Sequence, residues 1–219
     1  MNTVLFDLDG TLIDSEEGVV NCLLYAMEYM GFPPGSRESL RVFLGPPLDV
    51  MFAQYCGFDP DQTQEAIRKF RERYGTLGLY ENRLYEGMEP ALRRLREGGK
   101  RLCVATSKAE PFARRILEKH GVAHYFDQIA GATLDGKIST KSQVLAELFR
   151  RLGGVPSEAV MVGDRYYDVE GAAAFGIPTL GVSFGYGTEE ELKKAGAWQI
   201  AQTPAQMADL LLGETQERP

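Results

Sequence analysis

Apolar residues in this chain fall into short unbroken runs set between longer stretches of helical periodicity. Val4-Leu5-Phe6, Leu102-Cys103-Val104-Ala105 and Ala159-Val160-Met161-Val162 are three such runs, and each ends in polar residues. Runs this short and apolar throughout predict strands buried on both faces of a parallel sheet. Weaker runs near Gln128–Ala130, at Pro178–Val182 and at the edge strand Trp198–Ala201 extend the set. Helices are predicted between them. One is opened by Pro90, carries Leu92 and Leu95 and closes at Gly98-Gly99, and another runs from Pro111 to Gly121. Val144, Leu145, Leu148 and Leu152 line one side of a helix capped by Ser139 or Thr140. Further helices end at Gly176 and cover Glu189–Ala195 and Pro204–Leu212, and the polar Glu214–Pro219 tail is expected to fray.

Residues 15–84 read differently. Ser15 is placed to cap a helix entered through Glu16 and Glu17, with Val19, Val20, Leu23, Leu24, Met27 and Met30 at helical spacing and Gly31 at its end. After the break Phe32-Pro33-Pro34-Gly35, helices are expected over Arg37–Leu44, Leu48–Tyr55 and Asp61–Gly78, with no strand. The organisation predicted is an α/β parallel-sheet unit of residues 1–14 and 85–219, interrupted by an all-helical insertion at 15–84.

Composition narrows the function. At 219 residues, 44% hydrophobic and 25% charged, the chain can build one large domain or a domain plus a smaller one. A net charge of −7 argues against a general nucleic-acid or anionic-membrane binder, though not against a small phosphorylated partner. The three cysteines Cys22, Cys56 and Cys103 form no CxxC pair and fit reduced core thiols of a cytoplasmic protein. His120 and His124 read as surface or capping residues. No signal peptide or membrane span is visible in the sequence.

The polar ends of the three apolar runs share a chemical theme: Asp7 and Asp9, Thr106 and Ser107, and Asp164. In an open parallel sheet, ligands bind outside the carboxyl ends of the strands, where the chain order switches sides. Crowded carboxylates are costly without a cation. Asp7 is the candidate nucleophile, since a carboxylate attacking phosphorus splits a hard hydrolysis into two easier steps. Asp9 shares its side of the pleat and suits acid–base work on the leaving oxygen and on water. Asp164 suits direct ligation of Mg²⁺, and Asp168, four residues on, suits the waters around the ion. Thr106 and Ser107 offer a hydroxyl and a backbone N–H to a phosphate oxygen. Lys141 sits at a helix N-terminus, the wrong end for a cation unless an anion lies close, and Lys137 and Lys108 compete for its role. Each residue has a plainer alternative: turn-holding for Thr11 and Asp14, helix capping for Thr106 and Ser107, and a dipole-favoured acid for Asp168.

Taken together, the motifs resemble those of the haloacid-dehalogenase superfamily of phosphohydrolases. The matching residues are Asp7-Leu8-Asp9-Gly10-Thr11, Thr106, Lys141 and Gly163-Asp164-Arg165-Tyr166-Tyr167-Asp168, in order along nearly the whole chain. The resemblance implies a Rossmann-like core with a helical cap. It implies that Asp7 becomes phosphorylated and binds Mg²⁺, that Asp9 is the acid–base and gives the ion its backbone carbonyl, that Thr106 and Lys141 hold the phosphoryl group, and that Asp164 completes the metal's protein ligands. Asp9 favours phosphoryl transfer, because the dehalogenase branch lacks this second aspartate. Thr106-Ser107-Lys108, Ser139-Thr140-Lys141 and Gly185-Tyr186-Gly187 look like the phosphoglycolate-phosphatase branch, whereas Lys141-Ser142 departs from a common Lys-Pro pairing there. The expected activity is hydrolysis of a small phosphate monoester, phosphoglycolate-like first. A nucleoside monophosphate or sugar phosphate is the alternative, and a phosphomutase comes after those. The expected protein is a cytoplasmic monomer or homodimer acting on a small phosphorylated metabolite. Residues 41–48, with Arg41 and the Gly45-Pro46-Pro47 break, are the candidate specificity loop of the cap; an ordinary helix connector is the alternative.

Overall fold

The computed structural model describes residues 1–44 and 48–213. In chain order the elements are β1 (Thr3–Phe6), β2 (Ile13–Asp14), α1 (Glu16–Tyr29), α2 (Leu48–Cys56), α3 (Pro60–Tyr74), β3 (Arg83–Leu84), α4 (Met88–Glu97), β4 (Arg101–Ala109) and α5 (Glu110–Lys119). There follow β5 (Gln128–Ala132), α6 (Lys141–Leu152), β6 (Ala159–Gly163), α7 (Tyr166–Ala173), β7 (Thr179–Val182), α8 (Glu189–Ala195), β8 (Gln199–Ala201) and α9 (Pro204–Leu212). Short 3₁₀ turns cover Ser39–Phe43, Gly78–Tyr80 and Ala123–Tyr125.

Six strands form one parallel sheet in the order β5-β4-β1-β6-β7-β8. The fold is α/β and Rossmann-like. Every residue of β1 is buried, because the strand lies between β4 and β6 and has no solvent edge. Leu5, Cys103, Ala105 and Met161 from the three central strands pack in one cluster with Val144, Leu145 and Leu148 of α6 and Ala172 of α7. Burying each large apolar side chain there contributes about 2 kcal/mol. The chain runs outward from β1 through β4 to β5, then returns to β1's other side as β6. That reversal creates a crevice at the carboxyl end of β1. Register fixes what lines it. Phe6 is level with Val104 and with Val162, so the residues just beyond these in all three strands emerge side by side.

The chain divides into two packed units, Met1–Asp14 with the chain from Leu84 onward, and Ser15–Arg83. The second unit contains α1, α2, α3 and two of the 3₁₀ turns. Its interior is aromatic: Phe52 packs on Phe58 at 6.1 Å and on Phe43 at 6.4 Å, and Phe32 meets Phe58 edge-on at 5.5 Å. α3 begins with a reciprocal cap between Asp59 and Gln62 and with Pro60 in its first turn.

Five local expectations change. Residues 15–84, expected to hold no strand, end in the two-residue strand β3 at Arg83–Leu84. The segment Arg37–Leu44 holds a five-residue 3₁₀ turn at Ser39–Phe43 rather than an α-helix. Proline pairs bracket it in sequence, leaving too few residues to repay helix nucleation. The last long helix of the insertion stops at Tyr74, since Gly75 and Thr76 are weak helix formers, and a separate 3₁₀ turn follows at Gly78–Tyr80. Ser15 precedes α1 without a side-chain capping bond. Finally, Thr106-Ser107-Lys108 is not a loop leading into a helix. It lies within β4, whose register with β5 shifts between Thr106 and Ala109. Of the candidate specificity loop, Gly45-Pro46-Pro47 lies outside the described residues, as does the Glu214–Pro219 tail. The loop's Arg41 is paired with Glu16 at 2.7 Å on an exposed surface.

Candidate active site

Asp7 is the first residue past β1, anchored by its N–H to the carbonyl of Val162 at 3.0 Å. Lys141 opens α6, where Thr140 accepts from the Gln143 N–H while Gln143 accepts from the Thr140 N–H. This reciprocal cap fixes the start of the helix and aims the lysine beneath the sheet ends. Lys141 is buried. Its Nζ donates to the carbonyl of Ala105 at 2.8 Å and lies 2.8 Å from both Asp7 Oδ1 and Asp168 Oδ1. Burial alone would lower this ammonium's pKa, but Asp168 and Asp7 outweigh it and hold the group above its ordinary value. Lysine is therefore cationic in place, and the cost of its position at a helix N-terminus is offset by two carboxylates. The competitors are accounted for. Lys137 pairs with Asp135 on the surface, its side chain 84% exposed, and Lys108 pairs with Asp9 Oδ2 at 2.9 Å.

Asp164 follows β6 and is fully buried. Thr11 Oγ1 donates to its Oδ1 at 3.3 Å, and the Tyr186 N–H donates to its Oδ2 at 2.8 Å. Desolvation, then Asp168 and Asp7, raise its pKa well above the ordinary value, with the Tyr186 N–H opposing them. Asp168, in the first turn of α7, accepts from the Arg165 N–H at 3.1 Å. For Asp7, burial is the largest influence; Lys141 opposes it, Asp168 and Asp9 reinforce it, and the carboxyl is pushed up to about 6. Thr106 is buried, and its hydroxyl accepts from the Lys108 N–H at 3.2 Å. Ser107 is exposed on the irregular end of β4 and is not at a helix start.

The structure thus brings Asp7, Asp164, Asp168 and Lys141 together, with Asp9 held beside them by Lys108 and Thr106 at the neighbouring strand end. One carboxylate oxygen from each of Asp7, Asp164 and Asp168 lies within 4.8 Å of the others. Asp7 Oδ1, Asp9 Oδ1 and Asp168 Oδ1 are buried yet accept no well-directed hydrogen bond, so the contacts of Lys141 to Asp7 and Asp168 are ion pairs with lone pairs to spare. Hard oxygen donors, surplus negative charge and unfilled acceptor capacity fit a small dication such as Mg²⁺. Sequence reasoning left out Thr11 as a partner of Asp164, the Tyr186 N–H and the Ala105 carbonyl. Gly185-Tyr186-Gly187 carried a usable signal, because paired glycines just after a strand mark close backbone approach.

The chain belongs to the haloacid dehalogenase-like hydrolase family, whose sequence profile matches residues 4–182. It is 43% identical over 192 residues to the tyrosine-protein kinase PtkA of Mycobacterium tuberculosis, covering 87% of this chain, and it spans 65% of that protein's length. It is 38% identical over 190 residues to a 5'-nucleotidase of Pseudomonas aeruginosa, covering 87% of this chain and 86% of that one. A phosphoglycolate phosphatase of Vibrio parahaemolyticus stands at 27% over 216 residues, 95% of each chain. The crystal structure of a predicted phosphatase from Clostridium acetobutylicum superposes with a TM-score of 0.92 at 41% identity, covering 97% of this chain and 98% of that one.

Proposed function

We propose that the protein is a Mg²⁺-dependent phosphatase that hydrolyses small phosphate monoesters through an aspartyl-phosphate on Asp7. The observation that carries this reading is the carboxylate of Asp7 at the crevice of the sheet, 2.8 Å from a buried lysine and grouped with two more carboxylates. In the first half-reaction a carboxylate oxygen of Asp7 bonds to phosphorus as the ester oxygen leaves, and Asp9 gives that oxygen a proton. In the second, Asp9 takes a proton from water as its oxygen attacks phosphorus, releasing inorganic phosphate and restoring Asp7. Lys141 and the Thr106 hydroxyl meet the phosphoryl oxygens, where charge accumulates. Asp7, Asp164 and the Asp9 carbonyl would hold the ion, with Asp168 beside it. When bound, the ion neutralises charge on the transferring phosphoryl group.

Among esters, our reading ranks nucleoside 5'-monophosphates ahead of phosphoglycolate, which the sequence motifs favour; the 38% identity to a 5'-nucleotidase supports that order. Sugar phosphates follow, then isomerisation by a mutase. A phosphate-release screen over these esters, with Mg²⁺ and with chelator, tests the reading, and a rapid quench with labelled ester tests the intermediate. The expected result is Mg²⁺-dependent phosphate release and acid-stable label on Asp7. Turnover of the preferred ester with no label on Asp7 at any time would overturn the mechanism. Label passing from ATP to a tyrosine peptide, with no ester hydrolysed, would shift the reading toward the activity named for PtkA.

A further inference from the structure

The turn after β7, residues 183–188, contributes no side chain to the chemistry proposed above, yet it is packed directly against Asp164. The Tyr186 N–H donates to Asp164 Oδ2 at 2.8 Å. A Cβ built on Gly185 would stand 2.4 Å from Asp164 Cβ and 2.2 Å from the Gly10 carbonyl oxygen. One built on Gly187 would stand 1.9 Å from the Asp164 carbonyl oxygen. Neither glycine has positive φ, so each is required for space and not for backbone freedom. The turn is also tied at its far side, where the Tyr186 hydroxyl donates to Asp14 Oδ1 at 3.3 Å, in the strand that ends the N-terminal piece of the core.

From these contacts we infer that Gly185-Tyr186-Gly187 is a backbone clamp that sets the position of the Asp164 carboxylate for metal binding, with Tyr186–Asp14 as its outer anchor. The proposal rests on the reading of Asp164 as a metal ligand. Asp164 has both oxygens engaged, one by Thr11 and one by the clamp, so its χ angles are fixed before an ion arrives. A ligand oriented in advance loses less freedom on binding, and groups that orient a ligand change metal affinity when removed, typically 10–100-fold. Tyr186 is a positioning residue here: only its N–H reaches Asp164, and its ring serves to hold the turn.

Mg²⁺ titration calorimetry on the full chain without substrate separates the outcomes. Gly187→Ala must move the turn by more than about 1 Å, because real Cβ contacts essentially never fall below 3.0 Å. It is expected to weaken Mg²⁺ binding at least tenfold. Tyr186→Phe keeps the N–H and loses the anchor, and is expected to weaken binding about threefold. Asp164→Asn is expected to abolish it. Melting in EDTA reports whether each variant is folded; if Gly187→Ala is not, Tyr186→Phe carries the test. Wild-type affinity in the folded clamp variants, with Asp164→Asn inactive in binding, would overturn the clamp alone. Wild-type affinity in Asp164→Asn would overturn the metal assignment beneath it.

Discussion

Lys108 Nζ lies 2.9 Å from Asp9 Oδ2, and the lysine side chain is only 9% exposed. The register shift at the end of β4 makes the contact available by lifting residues 107 and 108 out of the regular ladder. Asp9 is thereby held in one orientation beside Asp7. Lys108→Met is expected to lower kcat about tenfold with less change in KM, and Lys108→Arg to restore part of it. Asp9→Asn is expected to cost about 10²–10⁴-fold, the range of a lost general acid–base. Steady-state kinetics on the preferred ester distinguishes these; a Lys108→Met effect confined to KM would reassign the lysine to substrate binding.

Lys141 and Lys137 are four residues apart and should behave oppositely. Lys141 answers three acceptors from a buried position, and its loss leaves Asp7 and Asp168 facing each other unneutralised. Lys141→Ala is expected to abolish turnover and to destabilise the metal-free protein by about 3 kcal/mol. Lys137→Ala should be silent in both respects, since its pair with Asp135 is solvent-exposed. Urea denaturation in EDTA and ester hydrolysis measure the two effects. Equal, mild losses would remove Lys141 from the site.

The Asp7 carboxyl titrates near 6 in the folded chain and 3.8 is its ordinary value. Between roughly pH 4 and 6 the unfolded chain has released this proton while the folded chain still holds it. The unfolded state therefore binds fewer protons there, and this group makes stability fall as pH rises through the window. A dication competes for the same oxygens, so the rise in Tm on adding Mg²⁺ should be small at pH 5 and larger at pH 8. Equal rises at the two values would contradict the assignment.

β5 ends the sheet, and an uncovered edge invites pairing with another strand. Here Arg114 and Arg151 donate to the Ile129 carbonyl at 2.8 and 3.1 Å, both steadied by Glu110. Their joint replacement by alanine frees that carbonyl and should produce species larger than wild type in size-exclusion chromatography, with hydrolysis unchanged. An unaltered elution volume would show that the guanidinium cover does not control self-pairing.

The core was legible because its strands are short and apolar on both sides: Val4-Leu5-Phe6 admits few other readings, and Ser139-Thr140 ahead of Val144, Leu145 and Leu148 announces a helix start. Asp7 and Asp164 were legible because acids at strand ends need an explanation. What escaped reading depends on contacts far apart in sequence. Lys141 is marked by its place at a helix start, but nothing local shows that Lys108 reaches Asp9; strand register brings that pair together in space. Thr11 looked like a turn residue because its partner Asp164 lies 153 positions away. Ser15 was misread because its type suits a cap whether or not the hydroxyl is used. The 3₁₀ turn at Ser39–Phe43 was misread because apolar spacing alone does not separate one tight turn from two α-helical ones.

The interior place of β1 has a consequence for how the protein is made. The strand that delivers Asp7 pairs with β4 and β6, and its Thr3 is level with Ala159. At about 5–20 residues per second, a ribosome needs on the order of 8–30 s to reach that partner. Until β4 emerges the run Val4-Leu5-Phe6 has neither neighbour, and until β6 emerges it has only one, while the helical insertion has already been made. Chaperone engagement of nascent chains should therefore be greatest before residue 163 leaves the tunnel, and should end soon after.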